Sequence, residues 1–347
     1  MWKYVLKRIA LAVVTLMIIL SLTFILIKLL PYTKIPGTDA ERYSYCMREV
    51  HLGYLIRLDA PSSKYGEVIL KYNVEATGQT YYFYQVPVFE QYFMWVKNIF
   101  TKWDWGQSIK VSPGLNATTI IAKKLPYSIK INIVSTLVSV PLGIALGIWA
   151  ALKKNKPTDH IISTTVMICI SIPSFVLITV LMLVFCYNLK WLPTQWPDVV
   201  YASTRDKILG YIIPVVCLSF GSICGYCRFT RAELCEVMDS EYLLLARTKG
   251  LTKKQAIMRH ALRNAMVPIV PSILAEFIGI LGGSMILENL YGIPGIGKLF
   301  VEALNFKDYN VLFVDMAIYT AIGLIAAIFL DISYGFIDPR IRMGAKK

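Results

Sequence analysis

The chain has 347 residues, 56% of them hydrophobic, and a formal net charge of +14 from 36 Lys and Arg against 22 Asp and Glu. That is more apolar side chain than the interior of a soluble domain of this size can hide, so the expected environment is a bilayer. A phosphate backbone would attract such a positive excess, but the basic residues here flank apolar runs, which fits membrane orientation and sets nucleic-acid binding aside.

A spanning helix needs about 20 mostly apolar residues, and six runs of that length follow one another: 9–30, 128–152, 161–187, 212–229, 266–290 and 312–337. The first is preceded by Lys3, Lys7 and Arg8, as a signal peptide would be. Its apolar stretch is too long for one, and no small-residue cleavage pattern follows Lys28, so it reads as a retained helix. Residues 1–30 are thus the N-terminal tail and first span. Residues 31–127 form a long segment whose density of Tyr, Phe and Trp, from Tyr81 to Trp105, predicts a folded or interface-hugging structure. The other five spans make a core over 128–337, and 338–347 is a tail.

Orientation follows from the short connections. Lys3, Lys7 and Arg8 fall on one side together with Lys153, Lys154 and Lys156. Arg228 to Arg263 and the terminal Arg340, Arg342, Lys346 and Lys347 join them. Both termini are predicted to be cytoplasmic, with 31–127 and the sparsely basic links 191–210 and 291–310 outside. The spacings Gly143/Gly147, Gly221/Gly225 and Gly279/Gly283 predict close helix packing within the subunit.

Catalytic and metal chemistry find little support. The three histidines, His51, His160 and His260, are far apart, and no nucleophile elbow is present. Cys224 and Cys227 have the spacing of a redox or metal pair, but no second pair or nearby His accompanies them, and they read as small buried hydrophobes. Gly292 to Lys298 imitates a phosphate-binding loop until Leu299, where a hydroxyl should hold magnesium. A tight turn of the chain explains those glycines better. Lys28, Lys130, Glu288 and Asp331 lie near span ends, where snorkelling suffices. Glu276 lies well inside the fifth span and must face either a neighbouring helix or a water-filled path.

The most informative stretch is 240–264. Ser240 is placed to cap a short helix ended by Gly250, and Thr252 with Gln255 forms a capping box that starts a second helix. Tyr242, Leu245, Ala246 and Leu251 are predicted to share one surface, with Lys253, Lys254, Arg259 and Arg263 facing water or headgroups. The stretch resembles the EAA loop of ABC-importer permeases, with Glu241, Ala246, Gly250 and Pro268 at the matching places. The run from Glu241 to Leu251, and that from Arg259 to Ala265, are similar to the dipeptide/oligopeptide branch. So are Ile172 to Phe175, Trp191 to Pro193, Arg228 to Ala232, Glu288 to Gly297, Asp308 with Tyr309, and Asp338 to Arg342. An insertion at 62–86 departs from the family pattern.

The resemblance implies an all-α membrane protein with six transmembrane helices, the type I ABC importer permease fold, in a bacterial inner membrane. It implies a non-catalytic subunit that forms half of a path for peptides. Glu241, Tyr242, Leu245, Ala246, Gly250 and Leu251 would couple it to ATPases, and Glu276 is a path candidate. The implied partners are a second homologous permease, two ATPase subunits or domains that bind ATP and magnesium in its place, an extracytoplasmic substrate-binding protein, and membrane lipid. No cofactor of its own is implied. Alternatives are a non-peptide cargo such as a nickel chelate, or a secondary, ion-coupled transporter, for which no inverted halves are visible.

Overall fold

The computed structural model describes residues 2–29, 35, 37–74, 78–197, 201–279 and 283–337. In chain order the elements are α1 (Trp2–Lys28), α2 (Asp39–Leu52), β1 (Leu55–Leu58), β2 (Val68–Val74), β3 (Gln79–Gln85), α3 (Val88–Lys102) and α4 (Ala117–Leu152). There follow α5 (Pro157–Ile170), α6 (Ser174–Leu181) with a π-helical continuation over Met182–Asn188, α7 (Thr204–Leu209) and α8 (Ile212–Met238). The chain continues through α9 (Glu241–Thr248), α10 (Lys253–Ala256), a π-helical turn (Ile257–Ala261), α11 (Leu262–Gly279), α12 (Met285–Tyr291), α13 (Ile296–Phe306) and α14 (Tyr309–Ile337).

Among the described residues, four stretches are long and apolar enough to span a bilayer: Val5–Lys28, Ala117–Leu152, Thr204–Met238 and Tyr309–Ser333. The third predicted span is α5 and α6, bent by 95° at the break between them. Pro173 causes the bend, since it cannot continue the hydrogen-bond ladder of α5 and instead caps α6 in an extended conformation. The fifth predicted span, 266–290, is not one continuous helix. Gly283 adopts a left-handed φ of +64°, and the Ser284 hydroxyl accepts from the Leu287 N–H, which starts α12 afresh. Gly279 ends α11 and Gly283 precedes α12, while residues 280–282 between them lie outside the described residues.

One compact unit comprises, among the described residues, 2–8, 125–298 and 322–337. In it α4 and α8 pack at backbone distance. A Cβ on Gly143 would stand 2.6 Å from Cβ of Tyr226, and one on Gly147 would stand 2.6 Å from Cβ of Thr230. The Gly221/Gly225 pair behaves otherwise: among the described residues, no atom outside the local backbone of α8 lies within 4 Å of an added Cβ at either position. Gly143→Ala should therefore cost about 1–3 kcal/mol by overpacking, while Gly221→Ala should be neutral or stabilise α8 by up to ~1 kcal/mol through helix propensity. Thermal unfolding of the purified permease checks both. The α5–α8 contact is locked by Asp159, 1% exposed, which accepts from Arg231 Nε at 2.5 Å and from Nη2 at 2.8 Å.

The other unit comprises, among the described residues, 9–124 and 299–321. It holds a feature that an all-helical expectation omits, a three-stranded antiparallel sheet ordered β1-β3-β2. The insertion at 62–86 supplies the β2–β3 hairpin, paired from Val74↔Gln79 to Val68↔Tyr84 with an irregularity between Val68 and Leu70, and β1 adds to β3 through Leu55↔Gln85. Aromatic residues favour strands, and β3 carries four in succession, Tyr81 to Tyr84. Phe83 is fully buried with Cys46 and Leu55 against α2, and Tyr43 of α2 stacks on Tyr72 at 4.4 Å. The start of α2 is set by a capping box between Thr38 and Glu41, and its end by Gly53 at φ +82°. Burial pushes the Cys46 thiol up to about 12, so it stays a neutral packing group.

Asp308 closes this unit. One carboxylate oxygen accepts from the Ser108 hydroxyl at 2.6 Å and from the backbone N–H groups of Ile109, Lys110 and Val111 at 2.9–3.0 Å. Three successive amides converging on one anion make the loop after α3 a nest for this side chain.

Candidate functional site

The elbow at 240–264 has the predicted helix, glycine corner and helix. Gly250 sits at φ +93°, a left-handed conformation that only glycine adopts without strain, and an added Cβ would meet none of the described residues beyond its chain neighbours within 4 Å. The requirement at the corner is thus conformational, not steric. Both hydrogen bonds of the Thr252–Gln255 capping box form, at 3.1 and 3.3 Å. Ser240 departs from expectation. Its hydroxyl turns back to the Val237 carbonyl and makes no cap bond to α9. The negative charge of Glu241, exposed in the first turn, suits that helix end instead.

The predicted shared surface divides in two. Tyr242 and Leu245 are 39% and 57% exposed, and Leu244, which periodicity alone did not single out, is 63% exposed. Ala246, at 9%, points the other way, and Leu251 is half-buried. Leu251 packs on a cluster of Leu234, Leu243, Ala256, Ile257 and Ala261. The reason is the helix period: positions 243 and 246 take the inner face, which leaves 241, 242, 244 and 245 outside. Ala246 is thus turned inward and Leu251 rests on the helix core, while Glu241, Tyr242 and Leu245 keep the exposed face. Lys253, Lys254, Arg259 and Arg263 are exposed as expected. Beside the elbow, Lys154 pairs with Asp239 at 2.6 Å and tethers the α4–α5 link to the end of α8.

Glu276 is half-buried on α11, and its side chain meets that of Tyr226 on α8, which the Ser272 side chain of α11 also reaches. The helix-to-helix role accordingly has a named partner. Glu288 is not a snorkelling end residue. It is 2% exposed and accepts from the Ser128 hydroxyl at 2.7 Å, the Ser284 N–H at 3.2 Å and the Lys298 N–H at 3.1 Å. Ser128 in turn accepts from the Ile296 N–H at 3.0 Å. Together they satisfy the first turn of α13, where Gly295 has no side chain to do so. An added Cβ at Gly295 would collide with both groups. The glycines of the phosphate-loop imitation thus enclose a carboxylate of the chain's own. Asp331 is also paired, with Arg8 at 3.1 Å.

Several apolar helices long enough to span a bilayer, with an exposed apolar helix on a glycine elbow, are the architecture of a membrane-embedded protein. Residues 143–343 match the model of the binding-protein-dependent transport system inner membrane component family, and the chain belongs to that family. It is a non-catalytic permease subunit of the ABC importer class. It is 31% identical over 349 residues to the dipeptide transport system permease protein DppB of Bacillus subtilis, covering 100% of both chains. It is 31% identical to the oligopeptide transport system permease protein OppB of Haemophilus influenzae, covering 99% of this chain and 100% of that one. Among solved structures, a chain of the MetNI methionine ABC transporter in inward-facing conformation aligns with a TM-score of 0.50 at 14% identity, over 64% of this chain and 97% of that one. That likeness bears on the fold alone.

Proposed function

We propose that this chain forms half of the translocation path of an ATP-driven importer of short peptides, and that α9 is the handle by which ATPase subunits move it. The observation that carries the reading is the apolar trio Tyr242, Leu244 and Leu245, exposed on a short helix whose far side is packed on the helix core. A rigid element of that kind, joined directly to α8 and through the π-helical turn to α11, transmits a rigid-body shift. The names of the relatives support peptide cargo. The partners are a second permease, two ATPase subunits or domains that bind ATP and magnesium, and an extracytoplasmic binding protein. Both termini and Lys253 are cytoplasmic.

Uptake should require ATP and the co-expressed ATPases, and a cross-linker at position 242 should join the chain to an ATPase. Uptake driven by an ion gradient without ATPases would favour a secondary transporter. Mass identification of the ligand that co-purifies with the binding protein separates peptides from a nickel chelate. Gly250→Val should lower transport about tenfold while ATP hydrolysis continues, because the left-handed corner costs a β-branched residue at least ~1–2 kcal/mol. Wild-type transport by that variant would remove the elbow from the mechanism.

A further inference from the structure

Helix α3 carries an apolar stripe that none of the described residues covers. Phe89, Phe93 and Phe100 are 76%, 61% and 72% exposed, and with Val96 they recur at spacings of four, three and four residues along one face, while Trp103, the residue that caps the helix end, is 71% exposed. The opposite face is sealed. Gln91, Trp95, Asn98 and Ile99 are buried, Gln91 donating to the Val86 carbonyl and Asn98 to the Leu52 carbonyl. An exposed aromatic row on a helix whose other side is fixed is a binding surface, not a misplaced core.

Its level relative to the spanning helix α1 identifies the occupant. Tyr92 hydrogen-bonds Ser21 at 2.8 Å, and Trp95 stacks on Phe24 at 4.9 Å. At 1.5 Å rise per residue, Ser21 and Phe24 lie about 10 and 6 Å from the end of α1 at Lys28. That is the depth, about 5–10 Å, at which an amphipathic helix buries its apolar face among headgroups and upper acyl chains. Over the same turns α1 exposes Leu22, Ile25 and Leu26, so the aromatic stripe continues an apolar surface already turned to lipid. Crossing is ruled out by length: 15 residues reach about 22 Å against a hydrocarbon core of about 30 Å.

We infer that α3 is an interfacial helix whose Phe89, Phe93, Val96, Phe100 and Trp103 lie among phospholipid acyl chains in the leaflet at the C-terminal end of α1. This requires α1 to span the membrane. It depends neither on which side that end faces nor on the cargo, so it can fail or stand independently of the transport reading. The helix fixes the depth of the chain that follows the sheet.

The test uses the full chain, co-expressed with its partner subunits in native membranes, with p-benzoylphenylalanine replacing Phe93 or Phe100 and, as a control, Arg57 on the exposed side of β1. After irradiation, phospholipid adducts at 93 and 100 should exceed those at 57 several-fold. Cross-links to another protein as the main product, or lipid adducts no more frequent than at 57, would overturn the inference. Should the substituted chains fail to accumulate, Trp103→Phe in nanodiscs of brominated lipid decides. The lipid-quenchable part of the emission should fall relative to wild type, and an unchanged quenchable part would place the stripe away from lipid.

Discussion

Glu288→Ala should destabilise the permease by about 3 kcal/mol or more, because three donors lose their acceptor at once in a site closed to water. The Ser128 hydroxyl and the N–H groups of Ser284 and Lys298 all end on this carboxylate. Alanine supplies no acceptor, and each stranded buried donor costs about 1–3 kcal/mol. Glu288→Gln keeps the volume but turns one acceptor into a donor, which meets either the Lys298 N–H or the pair formed by Ser128 and Ser284. It should recover only part of the loss. Ser128→Ala removes a donor to Glu288 and the acceptor for the Ile296 N–H together. The double variant should therefore cost clearly less than the two single losses added, as expected for one network. The measurement is the unfolding midpoint of the detergent-solubilised chain, with membrane accumulation as a second readout. A Glu288→Ala protein within about 0.5 kcal/mol of wild type would show the network to be incidental.

Local chemistry explains which parts of the molecule could be read in advance. The first span was legible because its apolar run and flanking charges are contiguous, and the elbow because Gly250, Thr252 and Gln255 act within a few residues of one another. Pro173 and Gly283 announced their breaks only ambiguously, since proline and glycine are tolerated within membrane helices. The sheet was missed because Tyr81, Tyr82, Phe83 and Tyr84 form a continuous aromatic run, and its burial comes from partners on α2 that alternation in the strand alone does not reveal. Least legible were the carboxylates. Glu288 and Ser128 are 160 residues apart, and Asp308 and Ser108 are 200 apart. No spacing rule connects such pairs, so Glu288 read as an ordinary end residue. Leu244 and Ala246 exchanged places for a smaller reason: in an eight-residue helix, one step of 100° decides which side chain is buried, and the anchor at Leu243 sets that step.

The two faces of α9 should separate experimentally into docking and folding. Leu245→Asp places a charge on a residue already 57% exposed and leaves the cluster beneath untouched, so stability should stay within about 0.5 kcal/mol of wild type. If this face seats in an ATPase cleft, the same change buries an unpaired carboxylate there. Association should then weaken about a hundredfold, the scale of a central interface residue worth roughly 2–4 kcal/mol. Leu243→Ala should do the reverse. Leu243 is 4% exposed in the cluster with Leu234, Ala256 and Ile257, and its truncation should lower stability by about 2–4 kcal/mol through a cavity. Whatever Leu243→Ala chain remains folded should still bind the ATPase, since Tyr242, Leu244 and Leu245 are intact. Pull-down of the ATPase from solubilised membranes, normalised to folded permease, distinguishes the cases. Equal retention by Leu245→Asp and wild type would mean that the exposed apolar face of α9 meets lipid and that force enters the permease elsewhere.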